Sequence, residues 1–289
     1  MRAAGDPDLN IYGIFGYPLG HTISPAIQNR ALDHYGLKSI YFAFECPPSR
    51  FQFLMRNLKS FVLSGFNVTV PHKEKVVRFL NGLSPEAKIL GAVNTVHKQG
   101  KKWVGYNTDL HGFLKGLEEV GFSPKRKRAV ILGAGGSARA AVYGLAKSGI
   151  SAVTIFNRTP ARAKKLVSGF KKKFPGIDWT VNSMGVRKLK EALSHADLLV
   201  NTTKVGLKAQ DPLLVPKSAF PKRKIFVYDL IYKPKQTKLL KLAARLGHKV
   251  LNGEVMLLHQ GARAFEIWTG KRAPVGEMKK ALDHALVSH

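Results

Sequence analysis

Residues 66–73 of this 289-residue chain read Phe66-Asn67-Val68-Thr69-Val70-Pro71-His72-Lys73, a strand-forming run followed by a proline and a lysine. Side chains alternate along an extended strand, so Asn67 and Thr69 share one face while Phe66, Val68 and Val70 are directed to the core. Lys73 has the parity of the polar pair. A second cluster, VGYNTDLHGF over residues 104–113, places Asn107 and Asp109 two apart at another strand end. A third, YPLGHTISPAIQN over residues 17–29, carries His21, Thr22 and Ser24 just ahead of a helix that Ser24-Pro25 should start. Each cluster alone is also what a loop or a helix cap carries. Together they gather hydroxyl- and carboxylate-binding groups at strand ends. An ammonium beside a carbonyl oxygen stabilises charge developing there and can donate a proton.

The motif VILGAGGSARA gives Gly133-x-Gly135-x-x-Ala138 directly after a strand and at the opening of a helix. Glycine at 133 allows a tight turn, glycine at 135 lets backbone amides reach a pyrophosphate, and the small residue at 138 lets helix and strand pack closely. This is the dinucleotide turn of a Rossmann-type fold. The next strand ends TIFNRTPARAKK, where an acid would hold the ribose 2′-hydroxyl of NAD, and Asn157-Arg158 stands there instead. Thr159 reads as an N-cap with Pro160 at N1, which places Arg162 in the first helical turn. Two guanidiniums at a helix N-terminus with no carboxylate suit a 2′-phosphate, so NADP is expected over NAD.

Elements that could position these groups alternate along the chain. Strand-like runs at 11–16, 39–45, 65–70, 92–97 and 103–106 are separated by helix-like stretches such as 24–36 and 49–63, an α/β pattern. A second series runs through 128–136, 152–158, 196–203, 225–232 and 248–253, with the continuous apolar character of a parallel sheet buried on both faces. The boundary is expected near 112–124, where GFLKGLEEVGFSP reads as a helix running out to a turn. The tail from Gly253 reads as one amphipathic helix ending at Gly270, with Met256, Leu257, Gly261, Ala264 and Trp268 on one stripe. Gln260 lies among them and, if buried, needs a hydrogen-bonding partner.

Composition narrows the class. Hydrophobic residues make up 45% and charged residues 22%, and no apolar run approaches the roughly 18 residues of a membrane span. No apolar leader opens the chain, and Cys46 is alone, so a cytoplasmic protein without a disulfide or a cysteine metal site is expected. No His, Asp or Glu spacing marks a metal site, and His21 and His72 read as loop histidines. The net charge is +29, and residues 114–251 carry +22 of it. The basic runs flank periodic apolar segments with few aromatics between them, the pattern of a solvated surface, so nucleic acid is not the expected partner.

The ordered motifs resemble one family, the shikimate dehydrogenases, over roughly Ile11 to Trp268. GYPLGHTISPAIQN resembles its carboxylate-binding loop, GFNVTVPHK and GYNTD its catalytic segments, and GAVNT (91–95) an intervening substrate contact. GAGGSARA and NRTPARA are similar to its NADP motifs, NTTKVG (201–206) to a loop near the nicotinamide, and QGARAFEIWTG to its closing helix. The resemblance implies reversible NADPH-dependent reduction of 3-dehydroshikimate to shikimate, on the route to chorismate and the aromatic amino acids. It implies an N-terminal α/β substrate domain over 1–113, completed by 252–289, and a Rossmann-type NADP domain over 114–251. C-terminal helices would return to the first domain, with a cleft between the two. Lys73 and Asp109 would be the catalytic pair, with the proton carrier between them left open. Thr22 and Ser24 would hold the substrate carboxylate, Asn67, Thr69, Asn94, Asp109 and Gln260 the ring hydroxyls, and Tyr232 would close the site. The cofactor would meet Gly133, Ala134, Gly135, Gly136, Ser137, Ala138, Asn157, Arg158, Thr159, Arg162, Thr202 and Gly253. The sequence departs from the family pattern at Thr22, where serine is usual, at Gln28, where histidine is more usual, and at Lys204.

The alternatives are a quinate/shikimate dehydrogenase of broader use, a Schiff-base lyase acting through Lys73, and a nucleic-acid-binding protein suggested by charge alone. The lyase leaves the nucleotide motif without a purpose. A monomer and a homodimer are both compatible with the sequence. Replacing Arg158 with Asp is expected to shift the ratio of kcat/KM for NADP over NAD toward NAD. An unaltered ratio would remove Arg158 from the 2′-phosphate contact.

Overall fold

The computed structural model describes residues 9–20 and 22–287, so His21 lies outside the described residues. The chain divides into two compact units, one formed by Met1–Gly112 with Leu258–His289 and the other by Phe113–Leu257. No helix among the described residues is long and apolar enough to cross a membrane.

The first unit contains β1 (Asn10–Gly16), α1 (Ser24–His34), β2 (Ser39–Glu45), α2 (Pro48–Arg56), β3 (Gly65–Val68), β4 (Gly82–Leu83), α3 (Pro85–Leu90), β5 (Thr95–Gln99), β6 (Lys102–Tyr106) and the start of α4 (Asp109–Glu119). Its sheet runs β2-β1-β3-β5-β6-β4. β1 pairs parallel with β2 and β3, whereas β5 runs antiparallel to both β3 and β6. The helix starts follow their sequence signals. Pro25 stands in the first turn of α1, and the Ser84 hydroxyl caps α3 by accepting from Ala87 N.

Several expected elements are shorter than their patterns, and two of them in the first unit have a clear cause. The strand expected over 65–70 ends at Val68 because Pro71 offers no N–H and the His72 amide turns back to the Thr69 carbonyl. Alternation therefore stops before Val70, which is 38% exposed rather than in the core. The helix expected over 49–63 stops at Arg56, where Asn57 Nδ2 donates back to the Phe53 carbonyl and a short 3-10 turn follows. The two-residue strand β4 carries too little pattern to be legible.

One face of this sheet is covered by Phe15, Phe51, Met55, Phe66, Val68 and Trp103. The opposite face, by strand parity, holds Tyr12 and Tyr41 and receives the C-terminal helices. The tail helix α9 (Glu254–Thr269) ends at Gly270, which adopts φ +67, and α10 (Val275–Val287) follows and packs on α1. Trp268 stacks on Tyr12 with ring centroids 5.0 Å apart and donates from Nε1 to the Val96 carbonyl at 2.9 Å. Gly65 makes that docking possible, because a Cβ there would lie 2.5 Å from Trp268 Nε1 and 2.8 Å from the Val96 oxygen. At the surface Arg30 of α1 pairs with Glu277 of α10.

The second unit contains β7 (Arg128–Leu132), α5 (Gly136–Lys147), β8 (Ala152–Phe156), α6 (Pro160–Lys171), β9 (Asp178–Asn182), α7 (Val186–His195), β10 (Leu198–Asn201), β11 (Phe226–Asp229), α8 (Lys238–Arg245) and β12 (Lys249–Leu251). All six strands are parallel, in the order β12-β11-β10-β7-β8-β9. This is the doubly wound order of a dinucleotide fold, and the strand sequence reverses between β7 and β10. β9 follows α6 and carries a mixed polar pattern at the sheet edge, so its apolar signal is weak. Gly65→Ala is expected to lower unfolding free energy by about 1–3 kcal/mol in urea denaturation, the usual cost of overpacking.

Candidate active site

Asn67, Lys73, Asp109 and Gln260, singled out in the first unit, converge on one buried amide. Asn94 stands just before β5 and is 2% exposed. Its Nδ2 lies 2.9 Å from Asp109 Oδ1, 2.9 Å from Thr108 Oγ1 and 3.2 Å from Gln260 Oε1, three acceptors for two hydrogens. Its Oδ1 accepts from Thr108 N at 2.7 Å, which fixes the side chain relative to the start of α4. The second oxygen of Asp109 accepts from Lys73 Nζ at 2.5 Å, and the two side chains are 4% and 12% exposed. Both oxygens of a buried carboxylate thus have donors, one charged and one neutral, as burial of such a group requires.

Asn67 supports this assembly from within the sheet. Its Nδ2 donates to the Asn94 carbonyl and to Thr95 Oγ1, both at 3.0 Å, and its Oδ1 accepts from the Tyr41 hydroxyl at 2.7 Å. Both amide hydrogens are therefore used inside the protein. Burial pushes the Tyr41 phenol well above its ordinary range and keeps it a donor. Asn107 likewise turns inward, donating to the Ala92 carbonyl. Gln260 finds a buried partner in the side chain of Asn94. Thr22 and Ser24 form a separate pair, their hydroxyl oxygens 3.3 Å apart at the start of α1, and Thr69 is half-buried, its methyl packing close on Gly16.

Tyr41, Thr95 and Thr108 belong to this network without being singled out in the sequence, although Thr95 and Thr108 stand within GAVNT and GYNTD. A signal for Tyr41 exists: it shares the parity of buried Ser39 in β2, and a buried tyrosine needs a partner for its hydroxyl. Gln28 is also buried and bonds the Gly261 carbonyl of α9 at 2.8 Å, directly beside Gln260.

In the second unit, Gly133 follows β7 at φ +109, and Gly135 is the N-cap of α5. A Cβ at 133 would lie 2.5 Å from Thr202 Oγ1, whereas no atom lies within 4 Å of a Cβ at 135. The first-turn amides of α5, from Gly136 through Ser137 and Ala138, thus open past a bare glycine, which fits a pyrophosphate. Ala134 is buried in the turn, and Thr202 is tied to the Leu132 carbonyl at 2.6 Å. Asn157 Nδ2 donates to the Thr159 carbonyl at 2.8 Å. Thr159 occupies the N-cap position of α6 with Pro160 at N1, as the sequence indicates, although its hydroxyl makes no capping bond. Arg158 and Arg162 are exposed, and among the described residues neither is paired with a carboxylate. These groups fit a dinucleotide bearing a 2′-phosphate.

A second buried carboxylate organises the loops at the carboxyl ends of β10 and β11. Asp229 is fully buried and accepts from Asn201 Nδ2 at 2.9 Å, Thr237 Oγ1 at 2.7 Å and Ile231 N at 3.2 Å. Asn201 in turn accepts from Thr203 N and Oγ1, so one carboxylate ties loop 201–206 to the segment carrying Tyr232. Tyr232 is half-buried, and burial raises its phenol. Gly253 N donates to the Ile231 carbonyl at 3.0 Å. Desolvation pushes Asp229 up to about 6, against the three hydrogen bonds that favour its charged form. An acid inside the apolar run IFVYDLIY was the available sequence signal.

A doubly wound dinucleotide unit and a second α/β unit with a buried lysine–carboxylate pair define a nucleotide-dependent oxidoreductase. The comparisons specify it further. Residues 14–96 match the shikimate dehydrogenase substrate binding domain, 117–226 match shikimate / quinate 5-dehydrogenase, and 253–282 match the shikimate 5'-dehydrogenase C-terminal domain. A protein of Geobacter metallireducens named shikimate dehydrogenase (NADP(+)) is 41% identical over 279 residues, covering 96% of each chain. The crystal structure of shikimate dehydrogenase from Aquifex aeolicus superposes with a TM-score of 0.85 at 39% identity, covering 96% of this chain and 98% of that one. The enzyme of Thermus thermophilus, solved in complex with NADP(H) and shikimate, gives 0.83 at 36% identity over 96% of this chain and all of that one. The chain belongs to the shikimate dehydrogenase family.

Asp229 yields a pH prediction. Its folded pKa is raised, so its contribution to stability is full below the ordinary value of 3.8 and is lost as pH rises through about 6. Asp229→Asn should therefore steepen the loss of stability on acidification from pH 7 to pH 4, by on the order of 3 kcal/mol in urea unfolding.

Proposed function

We propose that this protein catalyses the reversible NADPH-dependent reduction of 3-dehydroshikimate to shikimate, with Lys73 and Asp109 as the catalytic pair. The observation that carries this reading is the Lys73–Asp109 pair itself, a buried ammonium whose carboxylate partner is fixed from the other side by Asn94. Residues 1–113 with 252–289 are assigned to substrate binding and catalysis, and 114–251 to the dinucleotide.

A nicotinamide held by the second unit would supply the hydride that reduces the carbonyl carbon. Negative charge that builds on the ketone oxygen is met by Lys73, whose ammonium spends one hydrogen on Asp109 and has two more to offer. In the reducing direction Lys73 passes a proton to that oxygen, and in the oxidising direction it withdraws one. Asp109 keeps the ammonium oriented and, with Asn94, Gln260 and Thr69, presents polar atoms to the ring hydroxyls. Asn67 is assigned to the same ring hydroxyls through Oδ1, because its amide hydrogens already hold Asn94 and Thr95. Thr22 and Ser24 are assigned the substrate carboxylate through their paired hydroxyls. Tyr232 closes over the substrate.

Gly133, Ala134, Gly135, Gly136, Ser137 and Ala138 would hold the pyrophosphate, with Thr202 and Gly253 toward the nicotinamide. Asn157, Arg158, Thr159 and Arg162 would hold the 2′-phosphate, where guanidiniums without carboxylate partners favour NADP.

Lys73→Ala is expected to lower kcat by roughly 10²–10⁴-fold, the scale of a lost general acid–base group, with a modest change in KM for shikimate. A large rise in KM with kcat intact would make Lys73 a binding residue instead. The same NADP⁺-reduction assay, run with shikimate and quinate and repeated with NAD⁺, reads substrate and cofactor preference directly.

A further inference from the structure

Between Val70 and Lys75, four of the six residues are exposed, Lys73 is half-buried, and His72 alone is fully buried. The His72 ring lies flat on Phe51 of α2, with centroids 3.9 Å apart and planes 1° apart. Its Nε2 is 2.7 Å from the Cys46 carbonyl oxygen. A carbonyl cannot donate, so Nε2 carries the hydrogen and Nδ1 is bare; Nδ1 is buried and makes no hydrogen bond. Protonating Nδ1 would bury a charge without an acceptor. Desolvation accordingly lowers the imidazole pKa, partly opposed by the bond to Cys46, with the Lys75 charge lowering it further. The ring is therefore a neutral anchor with one aimed donor.

The backbone around it is held from several sides. Thr69 N donates to the Phe15 carbonyl, His72 N to the Thr69 carbonyl and Val93 N to the Lys73 carbonyl, at 2.8–2.9 Å. One residue beyond the anchored ring, the Lys73 side chain reaches Asp109.

We propose that His72 is a positioning residue for Lys73: its bond to Cys46 and its stack on Phe51 clamp an otherwise exposed turn, so that the adjacent ammonium is delivered to Asp109. This rests on the assignment of Lys73 as proton donor. A lysine has a long, flexible stem, so fixing its Cα is the part of its geometry that the fold controls. A displacement of about 1 Å at a reacting group can cost on the order of 10²-fold in rate.

The test is a double-mutant cycle. His72→Phe keeps a flat ring of similar volume and removes the donor, whereas His72→Gln places a non-titrating amide N–H at a similar reach. His72→Phe is expected to lower kcat for shikimate oxidation roughly 10–100-fold, leave KM for NADP⁺ unchanged, and shift the limb of the pH–kcat profile that Lys73→Ala abolishes. His72→Gln should recover most of the rate. Combined with Lys73→Ala, His72→Phe should cost nothing further, because its effect passes through the lysine. If His72→Phe is recovered unfolded, Phe51→Leu removes the stack from the other side and enters the same cycle. A fall in the urea midpoint with kcat and pH profile unchanged would overturn the proposal, as would a loss that adds in full to that of Lys73→Ala. If Lys73→Ala alone retains wild-type kcat, the failure lies in the assignment of Lys73.

Discussion

Burying the Asp109 carboxylate requires donors for both of its oxygens, and the first unit supplies them from opposite directions. Lys73 comes from the turn after β3, and Asn94 comes from the segment leading into β5. Asn94 can do this because its own oxygen is tied to the Thr108 amide and its carbonyl accepts from Val68 N and Asn67 Nδ2. Removing any one of these groups would leave a buried polar atom unmatched. The network is thus a structural constraint before it is a catalytic one, and the geometry offered to a ligand follows from satisfying it.

The second unit solves a related problem with neutral groups. Asp229 is surrounded by an amide, a hydroxyl and a backbone N–H, and among the described residues no cation pairs with it. Neutral donors compensate desolvation incompletely, which is why its pKa rises to about 6. The arrangement ties two loops to one strand end with neutral donors alone. Thr202, on one of those loops, packs against Gly133 and so carries the restraint into the turn itself.

Much of the fold was legible because its signals are local. Parallel strands buried on both faces read as apolar runs, Ser24-Pro25 marks a helix start, and Gly133 and Gly135 stand where a strand becomes a helix. What escaped depends on partners distant in sequence. Strand parity puts Asn67 on the polar face and the resemblance makes it a ligand contact, yet neither shows that Tyr41, Asn94 and Thr95 bond to its amide. Val70 falls in the core only if the alternation is extended past the point where Pro71 ends the strand. His72 reads as a loop histidine because Cys46 and Phe51, which bury it, lie more than twenty residues away. The roles of Lys73 and Asp109 come from motif resemblance, and the pairing of their side chains from the fold.

The first unit is assembled from both ends of the chain, whereas the second is a single continuous stretch. Trp268, which fills the space above Gly65, follows the whole of the second unit in the sequence. During synthesis the continuous unit has its whole sequence available while the sheet begun at Asn10 still lacks the helices that cover one of its faces. The segments that carry Lys73 and Asn94 must therefore wait, with an apolar face uncovered, until the second unit has been synthesised. The nucleotide-type fold can be complete before the unit that holds Lys73 has closed its core.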